Sequence, residues 1–288
     1  MDLPYLNEAA IQAFIEAALK EDIGSGDISS EASVTVNKMG LAYIIVKEPG
    51  VIAGLTLASA IFKHLNADIH LDFHFTEGDH VQKGDVVLNL EGNIRAILAG
   101  ERLVLNCMQR MSGVATYTRR LVDMIHGTKA RLLDTRKTTP NFRMMEKWAV
   151  AIGGGSNHRL GLYDMVMLKD NHIDYSGGIT KAILSTREYL KQKDRQVKIE
   201  IEVRNLEELQ EVLETGGVDV VMLDNMDPQT MTQAVQMVDG KLQTEASGGI
   251  DENNILEVAK TGVDFISVGA LTHSYKSIDL SLRVTKTH

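Results

Sequence analysis

Apolar and polar positions along the chain change their period twice. Residues 8–20 carry apolar side chains at helical spacing, and the loop Asp22-Ile23-Gly24-Ser25-Gly26-Asp27 ends that helix. From Leu41 to about Leu90 the pattern is that of strands. Residues 41–46 form an apolar run, and Ile69, Leu71, Phe73 and Phe75 alternate with His70, Asp72 and His74. Gly78-Asp79 and Lys83-Gly84-Asp85 supply turns, and a helical segment at 55–65 interrupts the strands, so this half reads as α+β. A long helix over about residues 99–126 follows. Beyond it, short strands at 131–134, 165–168, 197–203, 218–223, 243–246 and 265–268 alternate with helices at 142–150, 180–191, 206–215, 227–238 and 252–260. Such alternation predicts a parallel sheet with helices outside it. A spacing of about 25–30 residues per unit fits a (β/α) barrel better than a doubly wound sheet. Only six strands are clear where a full barrel has eight, so the barrel is expected to be open or incomplete.

Composition narrows the class without changing the fold. A hydrophobic share of 44% and a charged share of 24% argue against disorder. The single cysteine, Cys107, excludes an intramolecular disulfide framework and suits a reducing compartment. Met1-Asp2-Leu3-Pro4 lacks the basic start of a signal peptide, and no apolar run approaches the ~18 residues of a membrane span. Cytoplasm is the expected location, with no membrane partner. A net charge of -9 argues against nucleic-acid binding. Yet between Arg131 and His172 seven Lys/Arg face four Asp/Glu. A basic island in an acidic chain suits a small anionic ligand.

The chemistry gathers where a barrel would place it, at the carboxyl ends of the strands. Asp134-Thr135-Arg136-Lys137-Thr138-Thr139-Pro140 follows the first and Lys169-Asp170-Asn171-His172 the second. The fourth ends in Leu223-Asp224-Asn225, the fifth in Ala246-Ser247-Gly248-Gly249, the sixth in Val268-Gly269-Ala270. On the third strand Ile199, Ile201 and Val203 share one face while Lys198, Glu200 and Glu202 share the other, so both carboxylates are expected in the lumen. Buried there, they must be paired, bound to metal, or part of a Lys–Glu core network. Ser247-Gly248-Gly249 and Val268-Gly269-Ala270 precede helices after the last two strands and suit a phosphate site, although a simple turn explains each alone. Gly153-Gly154-Gly155-Ser156-Asn157-His158-Arg159 lacks the ending of a P-loop. The bland reading is preferred for His70, Asp72 and His74 (a solvated sheet face), Cys107 (packing) and Trp148 (a helix-face anchor). The segment from Glu77 to Val87 is similar to the hairpins of biotinyl and lipoyl carriers, but no lysine sits in their modification context.

Three motifs are specific enough to name a family. Asp134-Thr135-Arg136-Lys137-Thr138-Thr139-Pro140, Gly153-Gly154-Gly155-Ser156-Asn157-His158-Arg159 and Leu168-Lys169-Asp170-Asn171-His172-Ile173 closely resemble the signatures of the quinolinate phosphoribosyltransferases. Matches also occur at Glu21-Asp22-Ile23-Gly24-Ser25-Gly26-Asp27-Ile28, Gly100-Glu101-Arg102-Leu103-Val104-Leu105-Asn106 and Ala246-Ser247-Gly248-Gly249-Ile250, so the resemblance runs in order along nearly the whole chain. It implies an N-terminal α/β sandwich domain (1–112) rejoined by a C-terminal tail (272–288), and an open α/β barrel (113–271). It further implies a homodimer with shared active sites, or a higher oligomer built from it. Asn141-Phe142 departs from the family's frequent Gly-Leu, and Ala151 from a common basic residue.

The implied reaction joins quinolinate to phosphoribosyl pyrophosphate, giving nicotinate mononucleotide, pyrophosphate and carbon dioxide. Lys137, Lys169, Glu202 and Asp224 are the expected catalytic residues, with Glu202 and Asp224 holding Mg²⁺. Arg102, Arg136 and Arg159 suit the two carboxylates of quinolinate, with Arg102 given across the dimer. The rest of the expected substrate site comprises Thr135, His158, Ser247, Gly248, Gly249, Val268, Gly269, Ala270 and His273. Rival readings are a related transferase acting on nicotinate or another aromatic acid, a Schiff-base aldolase using Lys169, and a catalytically silent sensor of the same ligands.

Overall fold

The computed structural model describes residues 3–285; Met1 and Asp2 of the expected first domain, and residues 286–288 of the expected tail, lie outside the described residues. The chain opens with α1 (Glu8–Ile23), capped by Asn7, and α2 (Ile28–Ser33), capped by Asp27. Then come β1 (Met39–Val46), β2 (Gly50–Val51), α3 (Leu55–Leu65), β3 (His70–Phe73), β4 (His80–Val81), β5 (Val86–Asn93) and α4 (Ile94–Met124). The long helix starts five residues earlier than the pattern predicts, because the Asn93 side chain accepts the N–H groups of Arg95 and Ala96.

The alternating half follows as β6 (Arg131–Leu133), α5 (Arg143–Ile152), β7 (Val166–Leu168), α6 (Asp170–Ser176), α7 (Ile179–Gln192), β8 (Ile199–Val203) and α8 (Leu206–Thr215). It continues through β9 (Val220–Asp224), α9 (Pro228–Val238), β10 (Gln243–Ser247), α10 (Ile255–Lys260), β11 (Phe265–Ser267) and α11 (Ala270–His273), and the chain returns in β12 (Leu280–Val284). All six expected strands are present. The helix α6 is additional.

Two compact units result. The first holds residues up to 119, residues 139–154 and residues from 275 onward; the second holds 120–138 and 155–274. This differs from a boundary at 112/113, since 113–119 and 139–154 stand with the first unit. The cause is local packing of α5 on α4. Arg119 Nε donates to Gly153 O at 3.0 Å, and the buried carboxylate of Glu146 takes Arg110 at 3.3 Å. The tail belongs to the barrel as far as Ser274, then crosses α4 where Gly113 lies against Lys276 and Ser277; any side chain at 113 would strike their backbone.

In the first unit β12, β1, β5 and β3 form one antiparallel sheet, with β1 central against β5 and β12. His70, Asp72 and His74 are exposed, and His74 Nε2 lies 3.4 Å from the Asp72 carboxylate. Cys107 and Trp148 are buried in helices, and burial pushes the Cys107 thiol up to about 12.

In the second unit six parallel strands run in the order β6-β11-β10-β9-β8-β7. The first strand therefore neighbours the last, as in a closed barrel, but β6 and β7 do not pair. The barrel is open at one seam. Ser156 partly fills it, forming a parallel bridge with Leu133. All five residues of β8 are buried, including Glu200 and Glu202, as expected of a strand with helices outside and a filled lumen inside. Among the described residues no helix is long and apolar enough to cross a membrane.

The N-terminus of α3 yields a test. Its N-cap is Gly54, with φ +93° and no capping side chain, so Glu77 from a distant turn accepts the N–H groups of Gly54 (2.8 Å) and Thr56 (2.9 Å). Burial raises the Glu77 carboxyl above the ordinary range, against the pull of those bonds. Glu77→Ala leaves two helix-end donors without their acceptor, and urea denaturation should show a loss of about 1–2 kcal/mol. An unchanged midpoint would remove this cap from the account of the first unit.

Candidate active site

The strand ends of the second unit carry the expected residues, and short-range geometry explains how each is held. After β6, Asp134 is fully buried and accepts Asn157 Nδ2 at 2.6 Å and the His158 N–H at 2.9 Å, tying the seam segment to the strand end. Thr135 Oγ1 accepts the Lys137 N–H at 3.0 Å. The Lys137 carbonyl accepts Thr272 Oγ1 at 2.9 Å, which joins the loop after β6 to α11. Gly269 allows this closure, because a Cβ there would lie about 3.0 Å from His273 Nε2 and 3.1 Å from Lys137 Cδ. Lys137, Gly269 and His273 thus share one corner, with Val268 and Ala270 on either side of Gly269.

The acidic corner lies on the opposite strands. Lys169, at the end of β7, places Nζ 2.8 Å from Oε2 of Glu202 on β8. Asp224 stands level with Ser247, the last residues of the adjacent strands β9 and β10. Asn225 Nδ2 donates to Asp224 Oδ2 at 2.8 Å, and the Asn225 N–H donates to Ser247 O at 2.9 Å. The next residue, Gly248, is required: its φ is +97°, and a Cβ would collide with the Asn225 side chain. Gly249 follows with φ +61°.

Deeper in the lumen the arrangement is one that strand-end reading did not supply. His158 Nε2 lies 2.9 Å from Glu200 Oε2 on β8 and 3.6 Å from Glu245 Oε2 on β10. Its Nδ1 accepts the Arg159 N–H at 2.7 Å. An accepting Nδ1 has no proton, so Nε2 carries it and donates to Glu200, with Glu245 at ion-pair distance. Both ring nitrogens are therefore engaged within the chain. The three side chains are close enough to hold a metal ion, and one bound there would displace the Nε2 proton. Burial pushes Glu200 up to about 7, against the pull of Arg159 and Lys169. Burial, reinforced by the charge of Glu200, pushes Glu245 up to about 8. The Oε1 atoms of both carboxyls are buried without a hydrogen-bond partner.

Arg159 donates through Nη1 to Met165 O at 3.2 Å, and with Asn157, His158, Glu200 and Glu245 it lines a cavity of about 330 Å³ whose other walls include Arg131, Lys198, Val220, Gln243 and Phe265, at the amino ends of the strands. Burial and the neighbouring Arg136 guanidinium hold Arg159 below the ordinary arginine range, against the pull of Glu200 and Asp164. A half-buried guanidinium whose charge is disfavoured chiefly by burial is a group that an anion would stabilise. Arg102 stands exposed on α4 in the first unit. Sequence reading missed Glu245, although a signal existed: Gln243, Glu245 and Ser247 alternate with Thr244 and Ala246 as Glu200 and Glu202 do with their apolar neighbours.

Comparison with known proteins agrees with this architecture. Residues 27–112 match the model of the quinolinate phosphoribosyl transferase N-terminal domain, and residues 114–283 that of its C-terminal domain. The chain is 43% identical to the chloroplastic nicotinate-nucleotide pyrophosphorylase [carboxylating] of Arabidopsis thaliana, over 95% of this chain and 82% of that protein. It is 40% identical to the probable nicotinate-nucleotide pyrophosphorylase [carboxylating] of Bacillus subtilis, over 97% of this chain and 95% of that one. The solved nicotinate-nucleotide pyrophosphorylase of Francisella tularensis superposes with a TM-score of 0.90 at 40% identity, covering 97% of this chain and 98% of that chain. With both domain models matched in order and relatives of this identity matched along their length, the chain belongs to the quinolinate phosphoribosyltransferase family.

Proposed function

We propose that this chain transfers the phosphoribosyl group of phosphoribosyl pyrophosphate to the ring nitrogen of quinolinate and releases carbon dioxide, forming nicotinate mononucleotide and pyrophosphate for NAD biosynthesis. The observation that carries this reading is the basic set at the strand ends of the second unit, Lys137 in one corner with Gly269 and His273 and Lys169 beside Glu202, which a dicarboxylate and a pyrophosphate would neutralise. Family membership and the carboxylating activity in the relatives' names support it. The nicotinate alternative lacks the second carboxylate and is not favoured.

The division of labour follows from position. Arg136, Arg159 and Lys169 hold the carboxylates and fix the ring. Lys137, His273 and the backbone at Ser247, Gly248, Gly249, Val268, Gly269 and Ala270 receive phosphate groups, with Thr135 shaping the turn that presents Lys137. The ring nitrogen forms a bond to the anomeric carbon as the bond to pyrophosphate breaks, through an oxocarbenium-like state. The pyridinium then accepts the electron pair left when the 2-carboxylate departs as carbon dioxide, so that step needs no protein acid or base. A proton from solvent completes the ring.

The donor set suits Mg²⁺. Glu202 and Asp224 offer hard carboxylate oxygens at strand ends, Asp224 is partly exposed beside Ser247, and Mg²⁺ favours one or two carboxylates plus substrate oxygens. When bound, the ion would neutralise pyrophosphate charge. Lys169, 2.8 Å from Glu202, orients that carboxylate. We place the activity in the cytoplasm on the single buried cysteine, although the Arabidopsis relative is chloroplastic.

Three outcomes test the reading. With phosphoribosyl pyrophosphate and Mg²⁺, kcat/KM for quinolinate should exceed that for nicotinate by on the order of 10²-fold or more, with carbon dioxide released mole for mole with product. Comparable values, or product without carbon dioxide, would move the chain to the sister transferases. Turnover should vanish with a chelator and return with Mg²⁺, and Asp224→Ala should weaken use of phosphoribosyl pyrophosphate more than quinolinate binding; full activity in chelator would remove the metal. Finally, Arg102→Ala and Lys169→Ala subunits, each inactive, should regain part of their activity when mixed, since mixed dimers assemble one intact site. No recovery after confirmed subunit exchange would place Arg102 outside the shared site.

A further inference from the structure

The barrel is open between β6 and β7, and the segment from Ser156 to Arg159 occupies that seam. One side of the segment is fixed to β6: Ser156 bridges Leu133, and Asp134 holds Asn157 and the His158 N–H. From the other side the His158 ring reaches across the lumen to Glu200 on β8 and Glu245 on β10. The ring is only 7% exposed, and the two carboxyl groups 1% and 2%. The mechanism gives Glu245 no task, yet burying a second carboxyl beside Glu200 is costly. Its position explains it. Nε2–H donates to Glu200 at 2.9 Å, Glu245 stands 3.6 Å from the same nitrogen as the second charged wall of the ring's slot, and Nδ1 accepts the Arg159 N–H. From there Arg159 runs to its bond with Met165 O at the seam's far edge.

We propose that Glu245 is a positioning residue for quinolinate: acting through the His158 ring, it closes the open seam and fixes the Arg159 guanidinium in the lumen. An apolar residue of similar volume would fill the same space but remove the second charged wall, leaving the Glu200 bond alone to hold the ring. Such a tether, a buried carboxyl pair around one ring, specifies its geometry more narrowly than packing does. The proposal rests on the reading of the lumen as the quinolinate subsite.

The test uses steady-state kinetics of Glu245→Leu and Glu245→Gln in the full chain, with melting temperatures, and ¹⁵N NMR of histidine-labelled wild-type protein. Glu245→Leu should raise the quinolinate KM by about ten- to a hundredfold, while the KM for phosphoribosyl pyrophosphate stays within about threefold. Glu245→Gln keeps a polar oxygen facing the ring and gains a donor toward Glu200, so it should bring the quinolinate KM back to within about threefold of wild type. The NMR spectrum should show one buried histidine protonated on Nε2 only, and its signal should move in either variant. A folded Glu245→Leu protein with a wild-type quinolinate KM overturns the proposal, as do equal rises in both KM values or a failure of Gln to rescue. If Glu245→Leu does not fold, the spectrum decides: a His158 ring protonated on Nδ1, or exchanging freely with water, overturns the tether. Absence of quinolinate turnover in wild type would instead overturn the reading of the site, leaving the spectrum as the judge of the tether.

Discussion

Everything in the barrel's interior depends on one constraint: charged groups must be kept in the lumen without water to solvate them. An isolated carboxylate there would cost several kcal/mol. The chain meets this by partnering each one. Asp134 takes two donors from the seam segment, Glu202 takes Lys169, and Glu200 takes His158, with Glu245 3.6 Å from the same ring. These partners come from strand ends or from the seam, so satisfying the charges also fixes the backbone that carries them. The apolar faces of the strands supply bulk stability; the polar lumen supplies registration.

Burial weighs most on Arg159, with the Arg136 charge adding to it against the pull of Glu200 and Asp164. An anion beside Arg159 would offset that cost. At the rim the logic changes to backbone geometry. Gly248 and Gly269 are positions where a Cβ would strike Asn225, or crowd His273 and Lys137, so glycine permits polar groups from neighbouring strands to converge on a phosphate-sized space.

Much of this is legible in the chain itself. Six strands, their order of polar ends and the incomplete barrel follow from periodicity, because strands buried on both faces and amphipathic helices leave distinct patterns. Strand parity places Glu200 and Glu202 inside, and both are buried. The same parity applied to Gln243, Glu245 and Ser247 points to Glu245, but a Gly-Gly turn two residues later draws attention to phosphate instead. His158 reads as a donor to substrate. Its commitment to two carboxylates on different strands is a tertiary fact, with no local signature. The membership of α5 in the first unit is another: its amphipathic pattern shows that one face is buried, not against which partner.

The two departures beside the first motif show how local geometry absorbs sequence change. Asn141 stands where the resemblance leads one to expect glycine, and its φ is +61°. Among residues with a side chain, asparagine tolerates this left-handed conformation best, so the turn into α5 survives the substitution. Phe142, in place of a smaller apolar residue, packs its ring 5.8 Å from Phe14 and lies under the Arg110 guanidinium at 5.5 Å. Arg110 in turn donates to Thr139 Oγ1 at 2.8 Å and pairs with Glu146, which itself accepts the Thr139 N–H at 2.9 Å. Thr139 belongs to the motif that carries Arg136 and Lys137. The larger ring therefore adds a cation–π contact and apolar burial to the packing around the start of α5 in the first unit. The departure lies in that packing, where the chain has room to vary.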